Sequence, residues 1–381
     1  MGSLRQQGAP SDWVKFNSYD FTPDNLKEFR KRYCELLRKE IEGPEVLDYA
    51  EFSTLHDGLA LQNFDQFCHV SYRHENRIFT SQAWNRLFRI QEQVVREYVK
   101  EFLSCFTFRD HVVELDVVDT MVFQLGEVKR SMSMRRFILA LGLYTPEEIN
   151  DNLFEPFRDA CFRNRTNNYN PTEYFVGIST QNYYDTRHPP SYTIIKNHIR
   201  RLVHRLLTLL VACKHNAKVK VTLDDLFLLH NIDGEKMVDV PWTVAKFLSD
   251  KTKRYKKKSL IVGAHLIGRI ARSYGLMAPA YMRIVTLGQE TSLLNVAKLV
   301  DLGICRGAQD EEGGVSHRPN MTFTNRLRAM DDKLGNMDTN IYKLSNNVKD
   351  LTYVVFGMSE QYDQFYREFR QMRMEQERFH E

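Results

Sequence analysis

Apolar residues near the end of the chain recur at spacings that alternate between three and four: Leu327, Met330, Leu334, Met337, Ile341, Leu344, Val348, Leu351, Val355, Met358, Tyr362, Phe365, Phe369 and Met372. A helix packed on its own domain repeats every 3.6 residues, so a stripe held at 3.5 stays on one face only when helices supercoil around one another. The pattern therefore predicts a coiled coil over 321–381. β-Branched Ile341, Val348 and Val355 fall at a, with Leu344, Leu351 and Met358 at d, a combination that favours two parallel strands. Across such a dimer Lys333 faces Asp338 and Glu368 faces Arg373, opposite in sign both times. Gly335 and Gly357 weaken the helix by about 1 kcal/mol each, which leaves a surface helix folded back onto its own domain as the alternative reading.

Upstream the period is that of packed helices. Thr22-Pro23 reads as N-cap and first helical residue of an amphipathic helix carrying Leu26, Phe29, Tyr33, Leu36, Leu37 and Ile41, stopped by Gly43-Pro44. A longer helix is expected after Ser81, with Trp84, Leu87, Phe88, Val94, Val95, Tyr98, Val99, Phe102 and Phe106 at helical spacing. Between Val112 and Met132 the β-branched content rises around Leu125-Gly126-Glu127, which predicts a hairpin, then a short helix from Ser133 to Leu141 closed by Gly142. Thr145-Pro146-Glu147-Glu148 opens another helix with a capping box. The stretch 163–190, rich in Asn, Tyr, Thr and Pro, reads as an irregular loop or short insert. Helices are expected at 191–213, 222–230, 241–253, 259–274 and 291–302, and the nearly apolar-free 306–320 reads as a flexible linker. The fold class that results is mainly α with a minor β-hairpin: a leader over 1–20, a helical globular domain over 21–305, the linker and the coiled coil.

Composition supports a substantial core, with 43% hydrophobic residues, 24 Phe and 18 Tyr. No apolar run approaches signal-peptide or membrane-span length, so the chain is expected to be intracellular, in cytoplasm or nucleus, with no membrane partner. Met1-Gly2 lacks the hydroxyl residue that myristoylation wants at position 6, where Gln stands. Cys34, Cys68, Cys105, Cys161, Cys213 and Cys305 form no C-x-x-C pair, which predicts reduced, buried thiols rather than disulfides or a zinc module. Asn164 and Asn320 then begin accidental glycosylation triplets.

Charge is uneven. The net value is only +4, yet 191–275 holds 17 Lys and Arg against six acids, an excess of eleven. Lys251, Lys253, Arg254, Lys256, Lys257 and Lys258 crowd around Tyr255, enough to track a phosphate backbone or to serve as a nuclear-import signal. His198, Arg201, His204 and Arg205 share one helix face at spacings of three and four, and with Arg200 they read as a phosphate-facing or surface stripe. The candidate nucleic-acid residues are thus Arg200, Arg201, Arg205 and the basic run, with RNA as the candidate ligand. Asp224 and Asp225 read as first-turn acids that complement a helix dipole.

The glycines of Gly263-Ala-His-Leu-Ile-Gly268-Arg269-Ile270 imitate a P-loop, but Arg-Ile stands where Lys and a hydroxyl residue are required, so tight helix packing is the better account. His265 is read there as a satisfied or exposed helix histidine. No H-E-x-x-H, G-x-S-x-G, aspartic-protease triplet or zinc knuckle occurs, and no cofactor, metal or small-molecule ligand is expected.

Several stretches in order resemble the first-open-reading-frame, gag-region proteins of plant gypsy-class retrotransposons of the Athila type and the related putative plant transposon protein domain. They are Phe123-Gln-Leu-Gly-Glu127, Phe137 with Leu141-Gly-Leu-Tyr144, Asn197-His-Ile-Arg-Arg-Leu-Val-His-Arg-Leu206, Asp225-Leu-Phe-Leu-Leu229, Val240-Pro241 and Gly263-Ala-His-Leu-Ile-Gly-Arg-Ile-Ala271 ahead of Gly275-Leu276. The likeness covers roughly 112–305, and a coiled-coil tail is the usual ending of that group. It implies a structural protein encoded by a transposable element and carries over no catalytic residues. The resulting expectation is a non-enzymatic, self-associating protein, a parallel dimer through Leu327, Leu334, Ile341, Leu344, Val348, Leu351, Val355, Met358, Phe365 and Phe369, with a basic surface for element RNA. Its rivals are a nuclease- or transposase-like enzyme with dispersed carboxylates and a domesticated coiled-coil adaptor.

Overall fold

In the computed structural model the described residues are 16, 21–163, 169–212, 219–234, 237–253, 260–282, 285 and 287–305. The coiled-coil positions, the 306–320 linker and Arg254, Lys256, Lys257 and Lys258 lie outside them, as does the side chain of Lys253. What is described is mainly helical with few strands.

Helix α1 (Pro23–Leu37) begins as its sequence demands: Thr22 Oγ1 accepts from the Asn25 N–H at 3.4 Å, Pro23 occupies the first turn, and Leu26, Phe29, Tyr33 and Leu36 are buried. It ends at Leu37 and does not run on to Gly43-Pro44, because Ile41 leaves to pair with Ile261 through Glu42 N–H and Ile261 N–H bonds of 2.8 and 2.9 Å. Strand β1 (Glu45–Leu47) follows, then the short α2 (Tyr49–Thr54) and α3 (Leu59–Phe67).

A hairpin that sequence reading missed comes next. Strands β2 (Val70–His74) and β3 (Arg77–Ser81) pair antiparallel, with Glu75 at φ 53° in the turn. Their alternation is weak because Val70, Phe79 and Ser81 alone are buried along them.

The single helix expected after Ser81 is two: α4 (Ala83–Phe88) and α5 (Arg96–Cys105). The chain between them is claimed by other parts of the molecule. Val94 C=O accepts from Gly288 N–H at 2.7 Å, Val95 bridges Leu287, and the Gln93 carbonyl lies only 2.4 Å from where a Cβ on Gly268 would stand. The helical spacing of Val94 and Val95 thus reflects burial in a connecting segment and not a helix.

Helix α5 is the centre of the core. It packs on α1, and Phe102 meets Phe106 and Phe123 with ring centroids 4.7 Å apart in both cases. A three-stranded antiparallel sheet follows in the order β4 (Thr107–Phe108), β5 (Met121–Leu125), β6 (Val128–Met132). The β5–β6 turn is made by Gly126 at φ 64° and Glu127 at φ 62°, the two-positive-φ geometry whose twist suits a two-residue hairpin. Then come α6 (Met134–Leu141), capped by Ser133 and closed by Gly142 at φ 69°, and α7 (Pro146–Asn150) with the Thr145–Glu148 capping box, both as expected.

After α8 (Phe154–Ala160), the supposed irregular stretch contains α9 (Pro171–Ile178), which Asn170 caps. Helix α10 (His198–Leu207) continues as a π-helical turn through Ala212, α11 (Leu223–Asp233) has a Thr222–Asp225 capping box, and α12 (Val240–Lys253) and α13 (Ala264–Ser273) follow. The last elements are α14 (Pro279–Met282), β7 (Ser292–Leu294) and α15 (Val296–Asp301). A single helix over 291–302 is therefore replaced by a strand and a short helix, since β7 pairs in parallel with β1 and ties this region to residues some 250 positions earlier.

Glu101, fully buried on α5, locks the hairpin to the core. Its Oε1 accepts from Gln124 Nε2 at 2.8 Å and Glu127 N–H at 2.7 Å, and its Oε2 accepts from Gly126 N–H at 2.7 Å. Burial raises its pKa, while these three donors pull the other way. Glu101→Gln sets an NH2 group against at least one of the three donors, which should cost roughly 1–3 kcal/mol in a denaturant titration. An unchanged midpoint would refute the lock.

Candidate nucleic-acid interface

The residues that sequence reading assigned to a phosphate face lie mostly on α10. Asn197 Oδ1 starts the helix by accepting from Ile199 N–H at 2.8 Å and Arg200 N–H at 3.1 Å. From there each guanidinium turns to the protein. Arg200 makes a two-point bond to Asp233, with Nε to Oδ2 at 2.9 Å and Nη2 to Oδ1 at 2.7 Å. Arg201 Nη1 donates to the Gly303 carbonyl at 2.6 Å. Arg205 is only 5% exposed and reaches Glu45 Oε2 at 2.5 Å.

The expectation of a surface stripe is corrected most clearly at Arg205 and His204. His204 has no exposure, stacks on Tyr192 with centroids 5.5 Å apart, and has Nε2 3.6 Å from Asp225 Oδ2. The spacing of three and four placed these nitrogens on one face as predicted. That face is interior at His204 and Arg205, where α11 supplies Asp225 and β1 supplies Glu45, and half-buried at His198 and Arg201. Asp225 also completes the capping box of α11, accepting from Thr222 N–H at 2.8 Å, which agrees with its reading as a first-turn acid.

On α12, Lys246 Nζ binds Asp110 Oδ2 at 2.6 Å and Lys251 Nζ lies 5.2 Å from the centre of the Phe247 ring. The helix itself is pinned by Asp239, whose Oδ2 accepts from Arg158 at 3.2 Å and Arg163 at 3.0 Å and whose Oδ1 accepts from Trp242 N–H at 3.0 Å. The structure thus brings Arg200, Arg201 and Arg205 together on one helix, but does so to hold elements in place.

Tight packing at Gly263 and Gly268 is realised: Gly263 precedes α13 at φ 74°, and Gly268 admits the Gln93 carbonyl. His265 departs from its reading. It is 3% exposed, neither ring nitrogen has a hydrogen-bond partner among the described residues, and burial lowers its pKa to about 4. Close by, Glu92 is 4% exposed at its side chain and faces Arg272, with Nε to Oε2 at 2.5 Å and Nη2 to Oε1 at 2.8 Å. Burial acts to raise the Glu92 pKa, but the bonds from Arg272 and the Gln93 N–H, with the charges of Arg272 and Arg269, hold it below the ordinary carboxylate range.

Glu92 also walls a cleft of about 410 Å³ between 91–94 and 287–291. Among the described residues no group of three or more His, Cys, Asp or Glu is arranged to hold a metal, and no helix is long and apolar enough to cross a membrane. Cys34, Cys68, Cys105, Cys161 and Cys305 are free thiols; Cys34 is exposed and Cys305 half-buried, so the expectation of burial holds for Cys68, Cys105 and Cys161, and Cys213 lies outside the described residues. No family model, curated protein or solved structure matches the chain.

His265 generates a pH dependence whose sign follows from linkage. Its folded pKa of about 4 lies below the ordinary value of 6.5, so the unfolded chain takes up the proton first as pH falls. Stability should decline from pH 6.5 downward and lose roughly 3 kcal/mol from this group below pH 4. His265→Leu should remove that part of the acid sensitivity, read as a smaller difference in urea midpoint between about pH 7.5 and about pH 4.5. An equal difference in variant and wild type would count against a buried neutral imidazole.

Proposed function

We propose that this chain is a non-catalytic, self-associating structural protein of the retrotransposon gag-region type, with a basic surface that holds nucleic acid. The observation that carries the reading is the unbroken heptad series from Leu327 to Met372. At 1.5 Å per residue it amounts to about 70 Å of apolar seam, a length that water penalises unless a second helix covers it. The described body supports a scaffold role through its buried acids. Glu92, Glu101 and Asp239 hold an arginine, a turn and a helix start respectively, so their acceptor capacity is spent on architecture, and Asp225 caps α11 through its Oδ2.

Self-association is tested on the full chain by analytical ultracentrifugation. Wild type should sediment as a dimer at micromolar concentration, and Leu344→Asp with Leu351→Asp should sediment as a monomer with an unchanged thermal unfolding midpoint for the globular body. A monomeric wild type refutes the coiled coil.

The basic run at 251–258 makes a separate prediction. Changing Lys256, Lys257 and Lys258 together to Gln should weaken RNA binding and flatten its salt dependence, since each lost phosphate contact removes about 0.7 from the single-strand slope of log K on log salt. If the run is an import signal instead, purified protein keeps its RNA affinity while nuclear entry falls. A divalent-metal-dependent nicking assay addresses the rival enzyme reading, and reproducible cleavage by purified chain would displace the structural one.

A further inference from the structure

A cluster of basic side chains lies where sequence reading assigned a hairpin, a short helix and tight helix packing. Residues 128–142 and 264–282 contain six Lys and Arg and no Asp or Glu, and they fold into β6, α6 and α13, with α6 packed on α13. Two acids reach in from elsewhere: Asp116 engages Arg135 at 2.7 and 3.0 Å, and Glu92 engages Arg272. Glu92 also lies 3.8 Å from Arg269 Nη1.

The geometry is specific. Arg130 and Arg136 each place the guanidinium carbon 4.3 Å from the centre of the Tyr274 ring. Tyr274 is itself held, its hydroxyl donating to the Ser131 carbonyl at 3.3 Å and its ring meeting Phe123 edge-on at 6.1 Å. Arg136 is exposed and engages no carboxylate among the described residues. Arg269, 40% exposed at its side chain, brings Nη2 within 3.5 Å of the Cβ position at Gly142, the residue that closes α6, and so lies over the same α6–α13 seam. Arg272, 55% exposed, uses Nε and Nη2 on Glu92, which leaves its Nη1 uncommitted to that carboxylate.

We propose that the seam between α6 and α13, with Arg136 over the Tyr274 ring and Arg269 and Arg272 on α13, is a contact face for single-stranded nucleic acid. A guanidinium stacked on an aromatic ring keeps its N–H edge available for bidentate bonding to phosphate, and fixing it in advance lowers the entropy lost on binding. Its outer plane offers a surface on which an unpaired base can stack. The flat arginine and tyrosine platform is what favours a nucleic acid over an acidic peptide, which has no base to lay on it. The inference rests on the nucleic-acid-holding role proposed above and assigns that role to residues other than the lysine run.

The test uses the full chain and a fluorescently labelled single-stranded RNA in anisotropy titrations across a salt series. Arg136→Gln with Arg269→Gln should weaken binding by about tenfold at low salt and reduce the salt slope by about 1.4, two single-strand phosphate contacts. Arg136→Lys with Arg269→Lys keeps the charge and should retain most of the slope while losing affinity. Photocross-linking of thiouridine-substituted RNA to the wild-type chain, mapped by mass spectrometry, should label the peptide containing Tyr274, a readout independent of variant folding. If wild type binds no RNA, this inference and the nucleic-acid part of the proposed function both fall. If wild type binds, the Arg136 and Arg269 variant is unchanged and cross-links map elsewhere, this inference alone is overturned. Competition by polyglutamate as strong as by RNA would make the seam an acidic-protein surface and overturn the assignment.

Discussion

A carboxylate with no access to water sits at the middle of the body, and the arrangement around it depends on Glu101 being satisfied. Three donors converge on it, and two of them are the backbone amides of the β5–β6 turn, which point there because Gly126 and Glu127 both adopt positive φ. A carboxyl group buried this deeply is tolerable only with its hydrogen bonds complete, so the placement of α5 and that of the hairpin are coupled. The consequence spreads along the chain. β6 leads directly into Ser133 and α6, α6 packs on α13, and α13 accepts the 89–95 segment at Gly268.

Legibility followed the range of the interaction that decides each element. Where the determinant is local, the sequence was sufficient: Thr22-Pro23, Ser133 with Gly142, the Thr145 capping box and the Leu125-Gly126-Glu127 turn all appear as read. Where it is distant, the local pattern misled. Val94 and Val95 carry helical spacing, yet pairing with 287–288 and the close approach of Gln93 to Gly268 keep them out of a helix. The stretch 291–302 was split by β1, whose Glu45, Val46 and Leu47 take Ser292, Leu293 and Leu294 as parallel partners. Parallel pairing of three residues across such a separation has no signature in either segment.

The same distinction governs charge. A count of basic residues gave 191–275 a large excess, but Arg200, Arg201 and Arg205 are met by Asp233, Gly303 and Glu45 from other elements. Arg205 in particular is buried against Glu45, whose other oxygen lies 3.9 Å from Lys298 Nζ. Their positive charge belongs to the scaffold. The 128–142 stretch looked less basic because its four cations are few in absolute number, although it holds no acid at all. A tally of unopposed charge within elements that pack together, in place of a tally along the chain, separates the two cases.

Burial also distinguishes what each charged group can contribute to a partner. Arg205 and Asp239 have already lost their water and gained fixed counterparts, so a polyanion approaching the surface gains little from them. Arg136 and Arg272 remain in solvent and are restrained by Tyr274 and Glu92, which orient without neutralising the whole side chain. Glu92, kept ionised by Arg272 and Arg269, is part of that restraint: it costs the seam one positive charge and fixes the Arg272 guanidinium by two bonds on one edge. An arginine cluster without such an anchor would carry more charge and less geometry. Binding of a flexible single strand benefits from the second property, because the ligand already loses conformational freedom and a preorganised platform adds no further ordering cost of its own.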